Sequence, residues 1–368
     1  MFKIFDQSTF KELKKQHNIM ALVGNGFDIS VLYKYKNDIR LKGKTTAYKD
    51  FYEYITYCNL TSDQNILYRK MKNDRAEGKE NWSDFENSLH ELVLENKYPI
   101  KTLEKYVDEF QNLFAKFLNE LVDLDFLYKF NDEVRENKWA NQTLAHFLED
   151  LNETATSFAT NTDHYHLFYF VFFNFNYTFL LDNYLYLDKF QFDPHVFKNA
   201  DRNFGFYPNM GPSNNPTVWS SYVLCDVIHP HGIQNIPRSM LFGIDIPNDN
   251  RGQDLEKRLI KSYWAQYDVK YKSYIEQAEL FIIFGMSLGK TDAWWMDEIY
   301  NSLFNRGAEL IIYMFGNSDK ESIKDLFLSS CIRHENESED NKKIVRNNIH
   351  VVTFTDNTTN FLGLKELA

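Results

Sequence analysis

The feature that most constrains this fold is a series of short, almost uninterrupted apolar segments separated by stretches with helical periodicity. The apolar segments are 18–23, 165–173, 223–228, 278–284, 309–315 and 350–355, with 239–243 as a shorter candidate. Strands that are apolar on both faces are typical of parallel sheets, in which helices cover both sides. The sequence therefore predicts an α/β fold, namely a Rossmann-like parallel sheet covered by helices.

Helical periodicity is present at 8–16, 293–304 and 320–329, and it dominates a long stretch between the first two strands. Within 46–160, apolar residues recur on one face and Lys, Glu and Asn on the other, as at 103–130. We interpret 46–160 as a large helical insertion, and 1–45 with 161–368 as a nucleotide-binding domain. Ser83 is expected to cap a helix there, with Glu86 closing a capping box.

Composition excludes several classes of protein. The 368 residues carry a formal net charge of −11, which disfavours sequence-independent binding to nucleic acid. The N-terminal segment has no signal-peptide core, and the longest apolar run, 167–173, is too short to span a bilayer. The three cysteines lie far apart, so a cysteine-rich zinc module is not expected. These observations predict a cytoplasmic protein without a membrane partner.

Four of the predicted strands end in compact polar motifs, at 24–28, 174–178, 229–232 and 285–292. In open α/β sheets, ligands bind outside the carboxyl ends of the strands, near the point where the strand order reverses. If the sheet is parallel, all four motifs meet at one edge. The sequence therefore predicts a polar ligand site, most directly one for a nucleotide.

Ten residues of these motifs are predicted to bind the ligand. Closely spaced glycines after a strand let the backbone approach a ligand, and the following helix N-terminus favours anions. Hydroxyl, amide and carboxylate groups would contact a ribose or phosphates. The predicted binding residues are Gly24, Asn25, Gly26, Phe27, Asp28, Tyr177, Thr178, Gly285, Ser287 and Asp292.

The order of the motifs resembles one known family. Gly-Asn-Gly-Phe-Asp at 24–28, Thr-Ala-Tyr-Lys-Asp-Phe at 46–51, Trp-Ser-Asp-Phe-Glu at 82–86 and the three later motifs follow one another as in AbiH-type phage abortive-infection proteins. The resemblance covers roughly residues 20 to 300. It implies a bacterial antiphage effector, with a phage-derived activator as one partner to consider.

The same order is more distantly similar to sirtuin-like NAD-binding domains. The resemblance implies Gly24, Gly26, Asn176, His231 and Ser287 as counterparts of the phosphate, ribose and catalytic positions. The chain departs from that pattern in its first loop and at position 178, where sirtuins have an acidic residue. The zinc module of protein deacylases is absent, so the resemblance implies cleavage of NAD, as a substrate, with no cofactor required.

Asn176 and His231 are the predicted catalytic residues. Cleaving the nicotinamide–ribose bond expels a neutral pyridine, so the enzyme must stabilise an oxocarbenium-like transition state and activate water. A histidine suits the second task, and an asparagine amide can orient the water or the ribose hydroxyls. Each residue also has a purely structural interpretation: His231 in a turn, and Asn176 capping a strand end.

Two other functions remain open at this stage. His229 and His231, with Asp226 and Asp28, could form the site of a metal-dependent hydrolase, although no metal ligand is assigned. Alternatively, the chain could be a non-catalytic module that senses a nucleotide or binds a partner protein. Self-association is open as well.

Overall fold

The computed structural model describes residues 1–151, 156–195, 202–208, 217–245, 256–289, 292–355 and 359–366. Residues 152–155 of the predicted insertion, and Lys290 and Thr291 of the fourth polar motif, lie outside the described residues. The described chain forms one seven-stranded sheet. Its strands are β1 (Lys15–Val23), β2 (His166–Asn174), β3 (Phe204–Phe206), β4 (Trp219–Ile228), β5 (Leu280–Phe284), β6 (Glu309–Phe315) and β7 (Ile349–Phe354).

The sheet is largely parallel, as predicted. Its strand order is β3-β4-β2-β1-β5-β6-β7, and only the three-residue β3 runs antiparallel to its neighbour β4. If β3 is left out and the six parallel strands are renumbered 1 to 6 in chain order, their order across the sheet is 3-2-1-4-5-6. The order therefore reverses at the central strand β1. Val23 pairs with Asn174 on one side and with Phe284 on the other. The loops after β1, β2 and β5 therefore leave the sheet at the same level.

Helices make up most of the remaining described chain. The α-helices are α1 (Asn25–Lys34), α2 (Tyr48–Tyr57), α3 (Ile66–Ala76), α4 (Phe85–Glu95), α5 (Ile100–Leu121), α6 (Leu124–Glu136), α7 (Trp139–His146), α8 (Ser157–Thr160), α9 (Leu180–Leu185), α10 (Lys261–Trp264), α11 (Tyr267–Lys270), α12 (Lys272–Gln277), α13 (Ala293–Arg306), α14 (Lys320–Ser330) and α15 (Glu339–Asn347). Single turns of 3-10 helix occur at Phe147–Asp150, Pro237–Ser239, Glu256–Leu259 and Ile332–His334. None of the helices in the described ranges is long and apolar enough to cross a membrane.

Both faces of the sheet are buried, because alternate residues of each central strand enter different apolar clusters. In β1, Ile19 and Ala21 pack with α1 to α9, whereas Met20 and Leu22 pack with α11 to α15. The stretch between β1 and β2 is helical, as expected, and its helices share one apolar cluster with the sheet. The division at residues 45 and 160 stays a prediction.

Two predicted elements are wrong. Residues 8–16 are not a helix: Asp6 accepts the N–H of Ser8 at 2.9 Å in a turn, and β1 already begins at Lys15. Residues 239–243 are not a strand, because their backbone donors go elsewhere. The N–H of Leu241 donates to the carbonyl of His231 at 2.8 Å, and that of Gly243 to the carboxylate of Glu86 at 3.1 Å.

The segment 359–366 is bound to α7 and to the turn that follows it. The N–H groups of Asn360 and Phe361 donate to the Asp150 carboxylate at 2.9 and 3.0 Å. The N–H of Leu362 donates to the Thr143 hydroxyl at 2.9 Å, and the buried ring of Phe361 packs in the cluster on that face. These contacts join the segment that follows β7 to the helices that precede β2.

Candidate functional site

A cavity of about 560 Å³ opens at the carboxyl edge of the sheet. Phe27 does not reach it, because its ring is buried against Tyr184 and Phe284. All the other predicted site residues line the cavity: Gly24, Asn25, Gly26, Asp28, Asn176, Tyr177, Thr178, His231, Gly285, Ser287 and Asp292. The loops that follow β1, β2, β4 and β5 therefore meet at one place.

The glycines are required by the contact between two of these loops. A Cβ atom on Gly24 would lie 2.7 Å from the carbonyl oxygen of Gly285, and one on Gly26 would lie 2.6 Å from the Cα atom of Gly285. The N–H of Gly24 donates to the carbonyl of Phe284 at 2.9 Å, and that of Gly26 to Gly285 at 2.8 Å. These two amides are occupied within the protein, contrary to the expectation that they would hold phosphates.

Asn176 connects the loop after β2 to the loop after β1. It is buried, and its side-chain amide donates to the carbonyl of Gly24 at 3.2 Å. Its own N–H donates to the side-chain oxygen of Asn174 at 3.0 Å. Asn176 therefore fixes the floor of the cavity, and its catalytic role stays a prediction.

His231 is buried in the wall of the cavity. Its Nε2 atom lies 3.3 Å from Oδ1 of Asp292, although the two groups are not aligned for a hydrogen bond. The ring meets Phe175 edge to face, with 4.9 Å between centroids. The next residue, Gly232, has φ +83°, a left-handed conformation that favours glycine. Asp292 therefore faces the histidine directly.

A buried ammonium group joins two carboxylates beside His231. The Nζ atom of Lys261 lies 2.9 and 3.0 Å from the two oxygens of Glu86, and 3.5 Å from Oδ2 of Asp292. The Lys261 side chain is 1% exposed and that of Glu86 6%. Tyr48 donates its hydroxyl to Glu86 at 3.2 Å. Glu86, Lys261 and Asp292 thus form one continuous buried chain of charges, which ends beside His231.

This chain of charges was largely missed by sequence reasoning. The predicted capping box is wrong, because Asp84 caps α4 by accepting the N–H groups of Glu86 and Asn87, each at 3.1 Å. The Glu86 side chain is thereby free to reach Lys261. Nothing in the sequence around Lys261 predicted a site residue. It follows an isolated β-bridge between Ile244 and Ile260, and a single bridge produces no periodic pattern of apolar residues.

Electrostatics keep Asp292 ionised. Burial alone would raise the pKa of Asp292, but the charge of Lys261 and the contact with His231 outweigh it and hold that pKa below its ordinary value. Burial would lower the pKa of Lys261, but Asp292 and Glu86 outweigh it and raise that pKa. The pKa of Glu86 is raised by burial, with Lys261 opposing. His231 therefore faces a carboxylate that carries its charge at neutral pH.

Asp28 is a separate buried carboxyl group. Thr178 donates its hydroxyl to Oδ2 of Asp28 at 2.7 Å, whereas Oδ1 has no hydrogen-bond partner among the described residues. Burial raises the pKa of Asp28 to about 7, although the hydrogen bond from Thr178 opposes the shift. Asp28 therefore changes charge near neutral pH.

We expect Asp28→Asn to remove a pH-dependent loss of stability. The unfolded pKa of an aspartate is about 3.9, so the folded state holds a proton that the unfolded state has lost, and stability falls as pH rises through 7. Between pH 5 and pH 8 this costs the wild type on the order of 3 kcal/mol at about 1.4 kcal/mol per pKa unit. Urea denaturation at both pH values measures it. If the stabilities of wild type and variant changed with pH in parallel, Asp28 would not be the titrating group.

His229 lies outside the cavity. Its Nε2 atom is 3.0 Å from both carboxylate oxygens of Asp182, so His229 and His231 engage different carboxylates. Within the described ranges, no group of three His, Cys, Asp or Glu side chains is arranged to hold a metal ion. The hypothesis of a metal site at this histidine pair gains no support from the geometry.

Comparison with known proteins identifies the family. No curated protein and no solved structure matches the chain. Residues 20–314 match the family described as bacteriophage abortive infection AbiH. The matched span includes all of the cavity residues discussed above, from Gly24 to Asp292, and the helices between β1 and β2. The chain belongs to the bacteriophage abortive infection AbiH family.

Proposed function

We propose that this protein is an antiphage effector that hydrolyses a nucleotide, most directly NAD at its nicotinamide–ribose bond. The observation that carries the proposal is the convergence of the loops after β1, β2, β4 and β5 on one cavity, at the point where the strand order reverses. Open α/β sheets bind nucleotides at this position. A cytoplasmic location, a phage-derived activator and self-association belong to the same proposal.

The strand order supports the proposed substrate. The order 3-2-1-4-5-6 is that of doubly wound sheets that bind dinucleotides, which favours a Rossmann-like core with 46–160 inserted in it. The cavity of about 560 Å³ falls within the range of small-molecule sites. Gly24, Gly26, Asn176, His231 and Ser287, for which the sequence resemblance implied sirtuin-like roles, all line this cavity. These points favour NAD or a related nucleotide.

His231 is the proposed base. Nicotinamide leaves as a neutral molecule, so the site must activate water and stabilise the positive charge that develops on the ribose. An ionised Asp292 facing Nε2 favours a proton on that nitrogen and leaves Nδ1 to accept one from water. It also stabilises the imidazolium that results. Asp292 is thus a positioning residue for His231.

The test uses cells in which the wild-type protein blocks a phage. After infection we expect NAD to fall and free nicotinamide to rise in these cells, relative to infected cells without the protein. His231→Gln should abolish both changes and the protection, because no other group replaces the base. His229→Gln is the matched control, since this histidine lies two residues away and outside the cavity.

Mass spectrometry of the nucleotide pool gives the readout. Protection by the wild type with NAD and all other nucleotides unchanged would contradict the proposal. Equal loss of protection in both histidine variants would instead favour a site that uses the two histidines together.

A further inference from the structure

The two ends of the cavity differ in chemistry. The loops after β1, β2 and β4 contribute most of the polar groups, among them Asn176 and His231, together with the rings of Phe175 and Tyr177. The ends of β5, β6 and β7 contribute rings: Phe284, Tyr313, Phe315 and Phe354. Because β1 separates β2 from β5 in the sheet, these two ends lie on opposite sides of the central strand.

At the aromatic end, the exposed ring of Phe315 packs against a buried ring, that of Phe354. Phe354 is buried and stacks on Phe284, with 5.3 Å between centroids and 22° between planes. Phe315 meets Phe354 edge to face at 5.7 Å, yet it remains 62% exposed at the end of β6. A large ring held at the rim of a cavity offers its face to a flat ligand.

The region between the two ends suits an anion. Helix α1 begins directly after β1, with Gly24 as an N-cap that makes no side-chain hydrogen bond. Lys49 is exposed and also lines the cavity. The helix dipole and this ammonium group favour negative charge here. Of the carboxyl groups that line the same cavity, Glu86 and Asp292 are compensated by Lys261, whereas Asp28 and Asp84 oppose an anion. With the Gly24 and Gly26 amides occupied within the protein, Lys49 is the group here that can contact an anion, and it comes from the chain between β1 and β2.

We propose that Phe315 and Phe354 form a base-binding subsite that stacks the adenine ring of the substrate. The adenine lies at the ends of β6 and β7, the phosphates near α1, and the reacting ribose at Asn176 and His231. This inference rests on the proposed function and narrows it: the substrate is a nucleotide that carries an adenine ring, and a sugar phosphate without that ring binds weakly.

The experiment measures binding to the wild-type protein, with no catalysis needed. Isothermal titration calorimetry is carried out with ADP-ribose, AMP and ribose 5-phosphate. We expect ADP-ribose and AMP to bind, and ribose 5-phosphate to bind at least about tenfold more weakly, because it has no ring to stack. Phe315→Ala should weaken ADP-ribose about tenfold and leave ribose 5-phosphate unchanged. Phe315→Trp should retain the affinity.

The matched control is Phe190→Ala, because Phe190 is 63% exposed and lies outside the cavity lining. Its affinity for ADP-ribose should equal that of the wild type. If ADP-ribose bound Phe315→Ala as tightly as the wild type, the subsite would be wrong while the proposed function stood. If none of the three compounds bound the wild type, both would be overturned. If the aromatic end bound a protein partner instead of adenine, ADP-ribose would bind Phe315→Ala as tightly as it binds the wild type.

Discussion

Replacing Lys261 with methionine is expected to lower the free energy of unfolding by about 3–5 kcal/mol. Lys261 is 1% exposed, and its ammonium group lies between the carboxylates of Glu86 and Asp292. Methionine fills a similar volume but leaves two buried carboxylates without a compensating charge. Such groups are far more costly than an intact buried pair. Urea denaturation at pH 7 measures the change.

Two comparisons separate the effect of charge from that of packing. Adding Glu86→Gln to Lys261→Met removes one of the uncompensated charges, so part of the lost stability should return. Lys72→Met is the exposed control: Lys72 pairs with Asp63, and both side chains are more than half exposed, at 51% and 57%. That pair should contribute less than about 1 kcal/mol. Equal losses at positions 72 and 261 would show that the buried cluster is not needed for stability.

Gly232→Ala is expected to cost about 2–4 kcal/mol. The positive φ of +83° accounts for about 1 kcal/mol, and overpacking for a further 1–3 kcal/mol or so, because the new Cβ would lie 2.0 Å from the carbonyl oxygen of Ser239. The backbone must move to relieve this contact, and His231 is the preceding residue. We therefore expect Gly232→Ala also to lose the proposed nucleotide hydrolysis, because that depends on the position of His231.

The control for Gly232 is Gly43→Ala. Gly43 has a similar φ of +76°, but no atom lies within 4 Å of its added Cβ, so only the backbone term of about 1 kcal/mol applies. Thermal denaturation of both variants gives the comparison. Equal shifts in Tm would mean that the contact with Ser239 relaxes without cost.

The central strands were predictable because their residues are apolar on both faces. The segment 309–315 was predicted with the bounds that β6 has, and 18–23 differs from β1 only at its beginning, by three residues. The first three residues of β1 pair with β2, and they are Lys15, Gln16 and His17. Because their side chains are polar, a search for apolar segments does not detect this part of the strand. The short edge strand β3, with a glycine at its centre, has too few residues to show alternation.

The positions of the polar loops were predictable from topology, whereas the partners of their side chains were not. A parallel sheet brings strand ends to one edge whatever lies between them, so the loops holding Asn176 and His231 could be assigned to one site. Lys261 reaches Glu86 across a separation of 175 residues. No local pattern encodes such a pair, and a lysine after two apolar residues is usually exposed.

The binding of residues 359–366 to α7 has a consequence for synthesis. A chain that leaves the ribosome from its N-terminus exposes β1 first, long before its neighbours β2 and β5 exist. The helices before β2 can form early. The carboxylate of Asp150 and the hydroxyl of Thr143, however, cannot accept their hydrogen bonds from the amides of Asn360 to Leu362 until those residues have been synthesised. That layer therefore closes only after Asn360 to Leu362 have left the ribosome, later than β7, the last of the described strands.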